Sequence, residues 1–143
     1  MTMKPLIIAV AVASVLCACA RSEDKLPSLK VEGTCLYQEG IAEPVVYCGI
    51  SYGWHNLWPR FYNGSSLRNL KEQTGVNFFR AAIGSDDYAL EWNPGCDHGY
   101  LDDKDLALKC FDALAKAAIE NGSYLIADWH SLTTNPTPED IRR

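Results

Sequence analysis

Three short apolar runs, 44–51 (PVVYCGIS), 76–82 (VNFFRAA) and 124–127 (YLIA), alternate with two stretches whose apolar residues recur at helical spacing, and this order restricts the fold more than any other feature of the chain. Parallel neighbours cannot be joined by a tight turn, so strands that alternate with helices read as a parallel sheet with crossover connections. The runs are continuously apolar, as expected where helices cover both faces of the sheet. The first helical stretch, Ser65 to Thr74, sets Leu67 and Leu70 on one face and stops at Gly75. In the second, Asp102 is the expected N-cap with Asp105 three residues on. Leu106, Cys110, Leu114, Ala117 and Ala118 then recur until Asn121-Gly122 ends the helix. Residues 29–38 (LKVEGTCLYQ) are β-rich and separated from the first run by EGIAE, which predicts a hairpin leading into the first buried strand. Thr137-Pro138-Glu139-Asp140 has the form of a third helix start, with Thr as cap, Pro at the first position and acids in the first turn.

Such a sheet, ending at the first turn of a helix, leaves an unpaired edge and an uncovered face, and an open parallel edge is a template for association. The pattern predicts the front part of a longer chain, poorly soluble by itself. Composition narrows the function. With 48% apolar and 22% charged residues the 143-residue chain is neither disordered nor fibrous, and its length allows one domain. A balance of 13 basic against 18 acidic side chains, net −5, offers no attraction to a phosphate backbone, so no nucleic-acid partner is expected.

The first residues read as an export signal. Lys4 supplies the positive charge, Leu6 to Leu16 the apolar stretch, and small residues follow. The apolar stretch is too short to span a bilayer and no second one follows it. Leu16-Cys17-Ala18-Cys19 resembles a bacterial lipobox, with Cys19 the expected lipidated residue; plain cleavage near Ala18 or Ala20 without lipid is the other reading. The expected organisation is a signal over 1–18, a charged tether over 19–28 and a domain over 29–143. The exported part is then held to a cell-envelope membrane by its lipid alone, or is secreted. Export allows disulfides to persist. A hairpin register pairing 36 with 47 also sets Cys35 opposite Cys48, the most plausible bridge among the remaining cysteines. Cys96, His98 and Cys110 lack the paired close spacings of structural zinc, so no metal site is expected.

The blocks Gly49-Ile-Ser-Tyr-Gly-Trp-His-Asn-Leu-Trp-Pro-Arg-Phe-Tyr-Asn63, Gly75-Val-Asn-Phe-Phe-Arg-Ala-Ala82 and Gly122-Ser-Tyr-Leu-Ile-Ala-Asp-Trp-His-Ser131 each fall at a predicted strand. In this order they resemble glycoside hydrolase family 5, and most of all its bacterial endoglucanases, or cellulases, over about Leu29 to His130. The resemblance implies an α/β fold, the (β/α)8 TIM barrel, whose sites lie at the C-terminal ends of the strands. A barrel of that kind takes roughly 250 residues, so only about the first three strands are expected here.

It further implies retaining hydrolysis of β-1,4-glucan, in which one glutamate acts as acid and base and a second attacks the anomeric carbon, the two carboxyls about 5 Å apart. Those glutamates come from the fourth and seventh strands in the family. None in this chain matches them, so both are expected beyond Arg143 and the 143 residues alone are expected to be inactive. Glu139 and Asp140 are sufficiently explained by helix capping. The matching arginine, Arg80, is implied to lie beside the nucleophile and keep it ionised; a local pair with Asp86 or Asp87 is the other reading. The matching histidine, His130, is implied to hydrogen-bond the sugar at the point of cleavage. Asp128 is read as structural. His55 is a weaker match, two residues later than in the commoner Ser-x-His-Gly form. Among the aromatics of the first loop, Tyr52, Trp54, Trp58 and Tyr62, only Trp54 is taken as a sugar platform. The loop 85–99, with Trp92, lies on the same side. A β-glucan poly- or oligosaccharide is the expected partner, no metal or organic cofactor is implied, and the complete protein is expected to be a monomer. A noncatalytic glycan-binding surface lipoprotein is the alternative.

Overall fold

The computed structural model describes residues 26–132 and 137–141. The expected signal over 1–18, Cys19 and the first part of the tether lie outside the described residues.

The segment read as one strand of a hairpin is a complete hairpin by itself. Strands β1 (Leu29–Glu32) and β2 (Cys35–Gln38) pair antiparallel, with Leu29 opposite Gln38 and Glu32 opposite Cys35. Gly33, at φ +60°, takes the left-handed conformation that such a tight turn requires and other residues resist. The chain then runs irregularly to β3 (Gly49–Ser51), the first strand of a parallel sheet completed by β4 (Phe78–Gly84) and β5 (Tyr124–His130) in the order β3-β4-β5. Between them lie α1 (Gly64–Thr74) and α2 (Lys104–Glu120), and α3 (Pro138–Ile141) follows.

The helix ends have identifiable causes. The Asn63 side chain accepts the Ser66 N–H at 2.9 Å to start α1, and Gly75 closes it by bonding back to Lys71. The cap of α2 is Asp103, whose carboxylate accepts the Leu106 N–H at 3.0 Å, one residue later than the expected Asp102. At its other end Asn121 and Gly122 stop the helix, and the Lys71 ammonium from α1 caps the Asn121 carbonyl.

One face of the sheet makes the core. Phe79, Ala81 and Ile83 of β4 pack with Leu67 of α1 and with Ala107, Cys110, Leu114, Ala117 and Ala118 of α2. Leu67 and Leu114 are wholly buried and contribute roughly 2 kcal/mol each. The expectation that both strand faces are covered holds best for β4; Ile126 of β5 is 46% exposed.

Successive side chains alternate between faces, so Ser51, Arg80, Ala82, Gly84, Asp128 and His130 share the other face. Its two ends differ. At the N-terminal ends, Tyr47, Phe78 and Tyr124 stack with centroids 5.2 to 5.6 Å apart. The hairpin is tied to that end: Tyr124 donates to the Pro27 carbonyl at 2.5 Å, and Tyr47 to the Gln38 side chain. At the C-terminal ends the same face turns polar.

Candidate functional site

Parallel pairing sets Arg80 beside Ser51 on one neighbour and Ile126 on the other, with Asp128 and His130 two and four positions further along β5. A long side chain pointing toward the C-terminal ends therefore reaches both. Arg80 donates from Nη1 to Ser51 Oγ at 2.8 Å, and from Nη2 to Asp128 Oδ2 at 2.6 Å. The same Nη2 lies 2.9 Å from His130 Nδ1, which is 3.1 Å from Asp128 Oδ2. Arginine can only donate, so with a neutral ring Nδ1 is an acceptor. The proton then sits on Nε2, the donor left for an incoming hydroxyl. All three side chains are about a quarter to a third exposed, open to a ligand yet fixed by one another.

Neither acid of the local alternative holds Arg80. Asp86 caps the next turn through the Tyr88 N–H at 3.1 Å. Asp87 accepts from the Gly99 N–H at 2.8 Å and contacts His98 at 2.7 Å. The carboxylate that binds Arg80 is Asp128, and the guanidinium it fixes in turn holds His130. Its reach across the sheet, and that of Ser51, could not be read from local sequence; only the pairing register reveals it.

His55 lies beneath this surface and is wholly buried. Its Nδ1 accepts the Gly84 N–H at 3.1 Å, and its backbone N–H donates to the Ala82 carbonyl at 3.1 Å. The structure thus brings His55 to the site as a support that ties the first loop to the end of β4. Burial pushes its pKa down to about 4, against the raising influence of Asp103 and Asp97. A proton on Nδ1 would also face the Gly84 N–H donor to donor. Asn56, equally buried, accepts the Asp97 N–H at 2.9 Å through its carbonyl and so holds the loop after β4. A Cβ at Gly84 would stand 2.6 Å from Asn56 Oδ1, so any side chain there would have to displace the buried Asn56 amide.

Trp54 lies against His130, ring centroids 4.9 Å apart, and next to Trp92 at 6.4 Å. Tyr52 and Tyr62 are core residues. The Tyr62 hydroxyl lies 2.6 Å from the Gly53 carbonyl and 2.8 Å from that of Ala82, and burial raises its pKa well above the ordinary phenol value. Trp58 and Phe61 line a groove of about 450 Å³ along β3 and α1 that reaches Ser51 but is not lined by Asp128 or His130.

The expected bridge between Cys35 and Cys48 is not formed: both thiols are free, as are Cys96 and Cys110. The tight hairpin sets Cys35 against Glu32, and Leu36 accepts from the N–H of Val45, not residue 47, so the register that would align the two cysteines does not arise.

The model of the cellulase family, glycosyl hydrolase family 5, matches residues 41–142. Over 104 residues the chain is 30% identical to an endoglucanase A of Butyrivibrio fibrisolvens, which covers 73% of this chain and 23% of that protein. It is 31% identical over 93 residues to an endoglucanase A of Evansella cellulosilytica, covering 65% of this chain and 17% of that one. A solved structure from Cytophaga hutchinsonii superposes with a TM-score of 0.62 at 26% identity, over 72% of this chain and 30% of its own. The chain spans less than a quarter of the length of these curated relatives.

Proposed function

The chain belongs to the cellulase family, glycosyl hydrolase family 5, and from that premise we propose that it supplies the sugar-holding side of a retaining glycoside hydrolase that cleaves β-1,4-glucan. In this reading β3, β4 and β5 are the first three strands of a (β/α)8 barrel. The observation that carries it is the joined set of Arg80, Asp128 and His130 at the C-terminal ends of parallel strands, with the Trp54 ring beside it. Sites of barrel enzymes form at that end.

Each group has a task it can perform. The Nε2–H of His130 donates to a sugar hydroxyl, which it holds while the ring distorts. Trp54 offers an apolar face to the C–H side of the same sugar. Arg80 has N–H donors beyond those given to Ser51, Asp128 and His130, and these orient and keep ionised an attacking carboxylate. Asp128 is not that nucleophile, because its oxygen is already committed to Arg80. The acid/base and the nucleophile are glutamates expected from strands beyond Arg143. The nucleophile attacks the anomeric carbon as the other glutamate protonates the leaving oxygen. Water then opens the glycosyl-enzyme with that glutamate acting as base, so the configuration is retained.

The test is hydrolysis of cello-oligosaccharides by the protein made from its complete reading frame, followed by proton NMR. Release of the β-anomer first is expected. First release of the α-anomer would refute the retaining mechanism, and binding without hydrolysis would favour the noncatalytic glycan-binding lipoprotein.

We further propose export, with Cys19 as the lipidated N-terminus of the mature protein. The mass of the mature protein is expected to show loss of residues 1–18 and an added diacylglyceryl group. A mass matching a bare N-terminus near Ala18 or Ala20 would leave secretion without an anchor.

A further inference from the structure

Among the described residues the three most exposed large apolar side chains are Val46, 92% exposed, Ile119, 81%, and Val31, 71%. All three lie at one end of the molecule. Val46 adjoins Tyr47, whose ring packs on Phe78 and Tyr124 at the N-terminal ends of β4 and β5. Ile119 lies in the last turn of α2 at the same end, where its carbonyl accepts the Gly122 N–H just ahead of β5. Val31 belongs to the hairpin, which Tyr124 and Tyr47 fasten there. An exposed valine needs no explanation by itself, but three such side chains at the end opposite the polar cluster mark a surface that meets something apolar.

The path of the chain indicates what that is. The backbone joins the sheet at this end: the Pro27 carbonyl accepts from Tyr124, and the Ser28 carbonyl accepts the Glu39 N–H at 2.9 Å. From Cys19 to Pro27 a chain reaches at most about 28 Å, however it runs. A lipid on Cys19 therefore keeps this end within that distance of the bilayer, where a short tether makes surface contact a high-concentration event. The site is at the other end of β5, roughly 20 Å further along at the rise of a strand. Charge does not supply the contact. The hairpin and the loop after it carry Lys30 against Glu32, Glu39 and Glu43, which anionic headgroups do not attract, so the apolar side chains must make it.

We propose that the N-terminal end of the sheet rests on the bilayer through Val31, Val46 and Ile119, so that the site opens away from the membrane, toward glycan arriving from the aqueous side. This rests on the lipidation of Cys19 proposed above. Its test is quenching of tryptophan emission by lipids brominated on their acyl chains, with the lipidated protein from the complete reading frame in phosphatidylcholine vesicles. Trp54, Trp58, Trp92 and Trp129 all lie at or beyond the C-terminal ends of their strands, so the parent protein supplies the background. Val46→Trp and Ile119→Trp each add a ring at the contact, and Leu132→Trp adds one at an exposed position beyond β5. The emission added by the first two is expected to fall about twofold on brominated vesicles, as for side chains sunk to the acyl boundary. That added by Leu132→Trp is expected to stay unchanged. Val31→Asp placed beside Val46→Trp is expected to remove most of the quenching, and unchanged melting temperatures show that the variants fold. If the lipidated protein floats with the vesicles and neither added ring is quenched, or Leu132→Trp is quenched as strongly, the orientation is wrong. If the mature protein lacks the diacylglyceryl mass and does not float, the lipidation reading itself falls, and this inference with it.

Discussion

Arg80→Ala is expected to lower kcat/KM for cello-oligosaccharide hydrolysis by about a hundredfold, the scale of a reacting group displaced by an ångström, in the protein made from its complete reading frame. The reason lies in what Arg80 holds. Its guanidinium joins Ser51 on β3 to Asp128 and His130 on β5 across the full width of the sheet. Without it, Asp128 is left partly buried and unpaired, and its carboxylate favours a proton on the facing His130 Nδ1. The ring then takes the tautomer that removes the Nε2–H donor from the substrate. The ion pair is about a third exposed, so little of the effect should appear as lost stability. Arg80→Lys is not a conservative change here: one ammonium cannot fit three acceptors fixed by a planar fork, and it is expected to recover no more than about a tenth of the lost rate. Asp128→Asn keeps the shape and removes the charge. It should fall between the two. A kcat/KM within twofold of the parent protein for Arg80→Ala would remove Arg80 from the site.

The elements most visible in the sequence are those fixed by local chemistry. Asn63 and Gly75 bound α1, Asn121-Gly122 ends α2, and both helices bury the faces that periodicity marks. Errors arise where two residues offer the same chemistry or where the ladder outruns the hydrophobic pattern. Asp102 and Asp103 can both cap a helix, and only the backbone angles at 103 decide between them. The strand expected to end at Ala127 continues through His130, because Ala82, Ile83 and Gly84 of β4 supply backbone partners whatever side chains β5 carries. The Glu-Gly-Thr turn inside 29–38 was absorbed into a strand, and with it went the register on which the Cys35–Cys48 bridge depended.

The site was legible in its members but not in its connections. Family resemblance drew attention to Arg80 and His130, which lie 50 residues apart; that Asp128 joins them follows only from the parallel register. Periodicity places Asp128 at the end of an apolar run and nothing more. For His55 the spacing says that a histidine follows the first strand but not which way the ring turns, and its burial comes from the first loop folding back under Gly84.

That buried ring should also govern how the protein responds to acid. His55→Ala removes an imidazole from a fully packed place and leaves the Gly84 N–H without its acceptor, a loss of about 3 kcal/mol, large against the stability of an ordinary domain. His55→Gln preserves an acceptor and does not titrate, so it separates packing from protonation. In the folded state the pKa of His55 is about 4, below the ordinary 6.5 it regains on unfolding. Between those values the unfolded chain binds the proton and the folded one does not, so stability must rise with pH. The contribution of His55 is therefore fully present above about pH 6.5 and is lost as pH falls through about 4, an amount of at most about 3 kcal/mol at 1.36 kcal/mol per unit. His98, fully exposed and raised by its bond to Asp87, acts with the opposite sign near neutrality, but it is shared by both proteins and cancels in their difference. Urea denaturation of the parent protein and His55→Gln at steps from pH 7.5 to 4 should give a difference in stability that narrows steadily below pH 6.5. A constant difference across that range would mean that His55 is not held neutral beneath the site, and the Gly84 N–H would then need another acceptor.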